Sequence, residues 1–216
     1  NVKTIESVPL KLEKNIDYIV EGEIWLSKKN FNKVNKERKK KGEPLYANPR
    51  NTAAGAIRQL DPKIARKKNL DCFIYGAYEK LDIESGRKPK SIEKHHLLLE
   101  YLQEIGFKIE KNYKECNSIQ EVVTYWRKWE KKKDSLDYLI DGVVIKVDEY
   151  ALQRKLGYTG KAPRFSLALK FAPEQTTTVV EDISVQVGRT GALTPVAHLR
   201  PVFIAGSTVR RATLHN

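Results

Sequence analysis

The chain has 216 residues, 40% hydrophobic and 31% charged, the balance of a folded globular protein of one or two domains rather than a disordered or fibrous one. Its 40 lysines and arginines against 27 acids leave a net charge of +13, which favours polyanionic partners, nucleic acid first, unless it reflects only a lysine-rich surface. Cys72 and Cys116 show no Cys-x-x-Cys spacing and no apolar run is long enough to span a membrane, so neither a disulfide framework nor a zinc site is expected, and a cytoplasmic protein away from membranes is.

Residues from about Ile16 to Leu26 alternate as a strand with Glu21 and Glu23 on one face. Lys28 to Lys41 reads as a helix with Phe31, Val34 and Arg38 on a shared face. Its eight basic residues against the single acid Glu37 make either a solvated surface or a patch that tracks a phosphate backbone. Gly42 and Pro44 end it. The stretch from Ala47 to Pro62 is rich in small residues, so backbone there approaches something closely, either a packing neighbour or an anion. Asn51 or Thr52 would cap a short helix whose first amides face that anion, with Arg50 and Arg58 projecting beside it. Leu70 to Ala77 reads as an aromatic strand in which Tyr75, taken alone, is a core residue. Leu97 to Phe107 and Ile119 to Trp129 read as amphipathic helices, the second running into Lys131-Lys132-Lys133.

Two apolar strands then carry one lysine each. Asp141-Gly142 feeds Val143-Val144-Ile145-Lys146-Val147, and Phe165 to Phe171 contains Lys170. A lone buried ammonium is costly unless an anion meets it, so Lys146 and Lys170 are expected to be sequestered around a phosphate or a nucleotide. Asp141 would help to hold a divalent ion, or simply form a tight turn with Gly142. After Pro173 the texture turns to threonine–valine alternation through Thr176–Val180, Ile183–Val187 and Val196–Ile204, punctuated by Gly188, Gly191 and Gly206. That pattern suits a small barrel or sandwich and sets a domain boundary near Glu174, with too few residues after it to close a barrel alone. The chain has no methionine and starts at Asn1, from which a piece of a longer polypeptide is expected.

The strings Ala47-Asn48-Pro49-Arg50-Asn51, Leu60-Asp61-Pro62, Ile140-Asp141-Gly142-Val143-Val144-Ile145-Lys146, Val187-Gly188-Arg189-Thr190-Gly191 and Arg211-Ala212-Thr213-Leu214-His215-Asn216 occur in this order, and with them the whole chain resembles the NAD-dependent bacterial DNA ligases. The resemblance implies an α+β fold. Residues 1–174 would be a nucleotidyltransferase (adenylation) domain of antiparallel sheets and flanking helices, without its N-terminal part, and residues 175–216 the first part of an OB-fold β-barrel. It implies a lysine that attacks NAD, releases nicotinamide mononucleotide and becomes adenylated; AMP then passes to the 5′-phosphate of a nick, and the 3′-hydroxyl seals the strand and expels AMP. It also implies NAD and Mg2+ (or Mn2+) as cofactors, zinc only in a C-terminal part beyond this chain, nicked double-stranded DNA as partner, a monomer, and a bacterial, nucleoid-associated setting.

By position, the resemblance places Glu23 at the nucleoside sugar, Arg50 and Arg58 near the AMP and the nick phosphate, and Tyr75 stacked on adenine. Lys146 lies at the nucleotide, and Lys170 at the α-phosphate, where charge builds as phosphorus becomes five-coordinate. Arg189 faces the DNA backbone. Lys170, Lys146, Asp141 and Arg58 form the expected catalytic set; Glu23, Arg50, Tyr75, Lys146 and Lys170 the nucleotide set; Arg58 and Arg189 the DNA set, with no dedicated metal site assigned. Several positions depart from the family: Glu21 and Lys133 stand where arginine is usual, Asp137 replaces a proline, and Ala172-Pro173 is inverted. The family's nucleophile motif, Lys-x-Asp-Gly, has no counterpart, since the one Asp-Gly pair is Asp141-Gly142 and Leu139 occupies the lysine's place. The chain alone is therefore expected not to adenylate itself. Two other readings stay open. An ATP-dependent ligase or RNA-capping relative would carry two lysines one residue apart, where this chain has Ala168-Leu169-Lys170. A non-catalytic, basic nucleic-acid-binding piece agrees with the charge and the missing nucleophile.

Overall fold

The computed structural model describes residues 1–12, 17–79, 92–160, 162–204 and 207–215, divided into two compact units, Asn1–Phe171 and Ala172–Asn216. Ile16, Gly206 and the closing Asn216, singled out above, lie outside the described residues. The first unit runs β1 (Tyr18–Trp25), α1 (Lys28–Lys40), α2 (Pro49–Ile57), α3 (Pro62–Arg66), β2 (Asp71–Glu79), α4 (His95–Glu104), α5 (Ile119–Lys132), β3 (Gly142–Lys146), α6 (Tyr150–Leu156), the small hairpin β4 (Tyr158–Thr159) and β5 (Ala162–Pro163), and β6 (Ser166–Lys170).

Strands β1 and β2 pair antiparallel. Cys72, Ile74 and Ala77 bury themselves with Leu98, Leu99 and Leu102 of α4, and Val20 and Ile24 pack against that core, as the period-2 and period-3.6 patterns require. The register slips once: Glu21 faces Gly76 but Gly22 faces Ile74, so Tyr75 is the extra residue of a bulge. The bulge turns Tyr75 out of the core, 43% exposed, which corrects its reading as a core residue. A Cβ on Gly22 would lie 2.5 Å from the Phe73 carbonyl oxygen and 2.6 Å from the Ile74 side chain, so the close strand approach at the bulge depends on that glycine.

Helix α1 buries Val34 and packs Phe31 at the core margin. Its first amides are held from far along the chain: Lys28 donates to the Asp137 carbonyl at 2.6 Å and Lys29 to the Asp137 side chain at 3.1 Å. Asp137 thus helps to start a helix. Helix α2 is capped by Asn48, not by Asn51 or Thr52. The extended Asn48 accepts the Asn51 amide at 2.8 Å, and Pro49 follows with no amide to satisfy. Thr52, Ala53 and Ala56 are buried, so part of the small-residue signal is close packing, while Arg50, Ala54, Gly55 and Arg58 face outward.

Strands β3 and β6 form an antiparallel ribbon with Gly142 opposite Lys170 and Lys146 opposite Ser166. The second unit is a three-stranded antiparallel meander, β7 (Val180–Val187), β8 (Leu193–Ile204) and β9 (Ser207–Thr213), with Val196 and Ala197 buried and a register shift between His198 and Val202. The architecture is mixed helix and antiparallel sheet. Both cysteines are free thiols; burial, with the nearby Asp71 and Glu23 charges, pushes the Cys72 thiol up to about 11. Among the described residues no helix is long and apolar enough to cross a membrane.

Candidate functional site

The open face of β1–β2 carries Glu21 opposite Gly76 and Glu23 opposite Phe73, with the Tyr75 bulge between. The Tyr78 hydroxyl donates to Glu21 Oε2 at 2.7 Å. A Cβ on Gly76 would come within 3.4 Å of that same oxygen, so the glycine leaves the carboxylate its room. Lys146 reaches here from β3, its Nζ 5.1 Å from the Tyr75 ring centroid and 3.5 Å from His95 Nε2. Burial lowers the Lys146 pKa, opposed by the Glu21 carboxylate, while burial and the Glu21 and Glu23 charges raise that of the Tyr75 hydroxyl. Ring, imidazole and carboxylate field together satisfy the ammonium, the ring contact contributing about 0.5–2 kcal/mol.

Some way along the same ribbon, Asp141 sits between two cations, with Arg50 Nη1 at 3.7 Å and Lys170 Nζ at 3.8 Å. The three side chains are 75%, 69% and 73% exposed for Arg50, Asp141 and Lys170, so each pair adds no more than about 1 kcal/mol to stability. The placement comes from the backbone: Arg50 from the first turn of α2, Lys170 from the end of β6, and Asp141 from the residue whose carbonyl accepts the Phe171 amide at 2.8 Å. A Cβ on Gly142 would sit 2.5 Å from the Leu169 carbonyl oxygen and 2.7 Å from Lys170 Cα. The Asp-Gly pair is thus explained in part by how closely β3 lies on β6.

Lys170 corrects the expectation of two sequestered lysines. Its face of the ribbon is uncovered, with Val144 63% exposed and Ala168 also exposed, so its ammonium stays in water, whereas Lys146 is half-buried and satisfied within the protein. The two lysines nevertheless share that face. Gly142 is the cross-strand partner of Lys170 and lies four residues before Lys146, which keeps the side chains on one side and about 14 Å apart along the strand. Glu23 is exposed in mid-strand beside Tyr75, and Arg58 ends α2, about 12 Å along the axis from Arg50. No ion pair among the described residues joins Arg58 to the Asp141 cluster. In the second unit Arg189 is exposed in the β7–β8 turn, closed by the Gly191 amide on the Gly188 carbonyl at 2.9 Å with Gly191 at φ +82°. His95 was passed over in the sequence. Its only signal was a His-His pair at the front of an apolar helix, yet the fold sets it against Lys146, with Nδ1 3.3 Å from the buried Tyr150 hydroxyl.

A ring with an ammonium and carboxylates at one end, and two exposed cations at the other, suits a ligand with a flat base, hydroxyls and a phosphate. Family models match the chain in two segments, the NAD-dependent DNA ligase adenylation domain over residues 1–174 and the NAD-dependent DNA ligase OB-fold domain over residues 177–216. Over all 216 residues the chain is 48% identical to the DNA ligases of Bacillus cytotoxicus and Bacillus cereus strain AH820, and 47% identical to that of Bacillus thuringiensis strain Al Hakam. Each match takes in 100% of this chain and 31% of the relative, so the chain spans about a third of the length of the curated relatives it matches.

Proposed function

The chain belongs to the NAD-dependent DNA ligase family, and from that premise we propose that it holds the adenylate in a nick-sealing enzyme that also uses residues outside this chain. Residues 1–174 act as the adenylation domain, of nucleotidyltransferase fold, and 175–216 begin an OB fold. The observation that supports this best is the single face bearing Lys146 on Tyr75 at one end and the Arg50–Asp141–Lys170 triplet at the other. Adenine stacks on Tyr75 beside Lys146, Glu23 accepts from a ribose hydroxyl, and the α-phosphate lies with Lys170 and Arg50. Arg58 and Arg189 contact DNA phosphates. Asp141, the carboxylate between Arg50 and Lys170, fits Mg2+ held through a single carboxylate together with phosphate oxygens and water, where the ion would neutralise phosphate charge. Lys170 stabilises the charge that builds on the phosphoryl oxygens during transfer. The attacking amine lies outside these residues, which contain no Lys-x-Asp-Gly. A monomer working on nicked duplex DNA in a bacterial cytoplasm, at the nucleoid, completes the proposal.

Calorimetric titration of AMP onto the chain tests the site. Saturable binding is expected, and Tyr75→Ala should weaken it by the roughly 1–3 kcal/mol of a stacked base; unchanged affinity removes Tyr75 from the base site. Incubation with adenylate-labelled NAD and Mg2+ should leave the chain unlabelled, and a covalent label would place the nucleophile within it. Arg189→Ala should leave AMP affinity intact and flatten the salt dependence of nicked-duplex binding by about 0.9 in the log–log slope. A loss of AMP binding of similar size would mean that Arg189 does not act through DNA.

A further inference from the structure

We propose that His96 and Glu115 ligate a divalent transition metal, with Asp148 orienting the imidazole, at a site apart from the nucleotide face. The three residues come from different elements: His96 from the first turn of α4, Glu115 from the segment before α5, and Asp148 from just beyond β3. Asp148 engages His96 twice, its Oδ1 accepting the His96 amide at 2.9 Å and its Oδ2 lying 2.7 Å from His96 Nδ1. An ionised carboxylate only accepts, so Nδ1 must carry a proton. That leaves Nε2 as the outward-facing nitrogen, and Glu115 Oε1 lies 3.6 Å from it. A cation between them, either a proton on Nε2 or a metal ion, draws the nitrogen and the carboxylate oxygen together.

The spacing suits a metal. With ligand bonds of about 2.0–2.1 Å, a nitrogen and an oxygen 3.6 Å apart subtend roughly 120° at the ion. One donor atom from each of His96, Glu115 and Asp148 lies within 4.8 Å of the others. The His96 side chain is only 15% exposed, which fixes the ring, while Glu115 is 62% exposed and leaves a way in for the ion and for water to complete its coordination. A carboxylate on one imidazole nitrogen and a metal on the other is the usual way in which a protein sets tautomer and ring direction. Imidazole with carboxylate favours Zn2+, Co2+ or Ni2+ over Mg2+, which prefers all-oxygen surroundings, so this ion is not the one that would accompany the nucleotide phosphate. Its role is a clamp that ties the segment ahead of α5 to the start of α4 and the end of β3. Lys146 and His95, two residues and one residue from the site's Asp148 and His96, are held by the same frame.

The site stands independently of the ligase proposal, because its readout is metal binding. Zn2+ and Mg2+ are titrated separately onto the 216-residue chain carrying Cys116→Ser, which removes the half-exposed thiol that would compete for zinc. One saturable Zn2+ is expected, with a rise in Tm that Mg2+ does not give. Glu115→Gln, a change at an exposed position, should lower Zn2+ affinity at least tenfold, and Asp148→Asn about 10–100-fold. Zinc affinity that survives both Glu115→Gln and His96→Ala would overturn the assignment. So would the absence of saturable binding, or an NMR titration showing that the cation between Asp148 and Glu115 is only the imidazolium proton.

Discussion

Replacing Lys170 with alanine in a ligase of the relatives' full length should slow adenylyl transfer at the α-phosphate by about 10²–10³-fold, the loss typical of one well-placed donor to developing charge. The same substitution should leave the fold almost untouched. Lys170 is 73% exposed and its contact with Asp141, at 3.8 Å, is a hydrated one, so the stability change should stay within about 0.5 kcal/mol. In water two unit charges at 4 Å interact by only about 1 kcal/mol, and several times more once solvent is excluded. On the proposed role, the lysine would contribute little to the resting protein and much where water is excluded around a phosphate. Single-turnover sealing measured beside thermal denaturation checks both halves. A rate loss below tenfold removes Lys170 from the chemistry, and a large fall in Tm would make its role structural.

Gly142→Val should act through the backbone instead. The added Cβ meets the Leu169 carbonyl oxygen at 2.5 Å and Lys170 Cα at 2.7 Å, atoms that cannot rotate away, so β3 and β6 must part. Overpacking of this kind costs about 1–3 kcal/mol, sometimes more, which for a chain of this size is a fall in Tm of about 2–4 °C per kcal/mol. Gly55→Ala is the contrasting variant. Nothing lies within 4 Å of its added Cβ, it faces outward in the middle of α2, and alanine there should stabilise by about 0.4–1 kcal/mol. If Gly142→Val melts with the wild-type chain, the strand spacing does not depend on the glycine.

The regular elements were legible where a hydrophobic period was long. Val34 and Phe31 marked α1, and Leu98, Leu99 and Leu102 marked α4, and these residues line the core or its edge. Shorter elements left no such trace: α3 and α6 span fewer than three turns, and Arg210 and Arg211 hid β9 among charges. Lys146 was readable as a lysine in an apolar strand, but its neighbours were not. Tyr75 reaches it because of a one-residue bulge, and His95 reaches it from a helix more than 50 positions away in the chain, and neither relation has a local signature. The burial of Lys170 was misjudged for a related reason. An apolar strand sequence does not say whether a second layer covers it, and on this face of β6 none does among the described residues.

The carboxylate of Asp141 already occupies the space between Arg50 and Lys170, and that bears on how any anion would come and go there. An arriving phosphate exchanges with a resident anion, so the guanidinium and ammonium never face each other unscreened and need not be re-aimed. Departure runs the same exchange backwards. A pocket arranged in this way would grip an anionic guest moderately and let it leave.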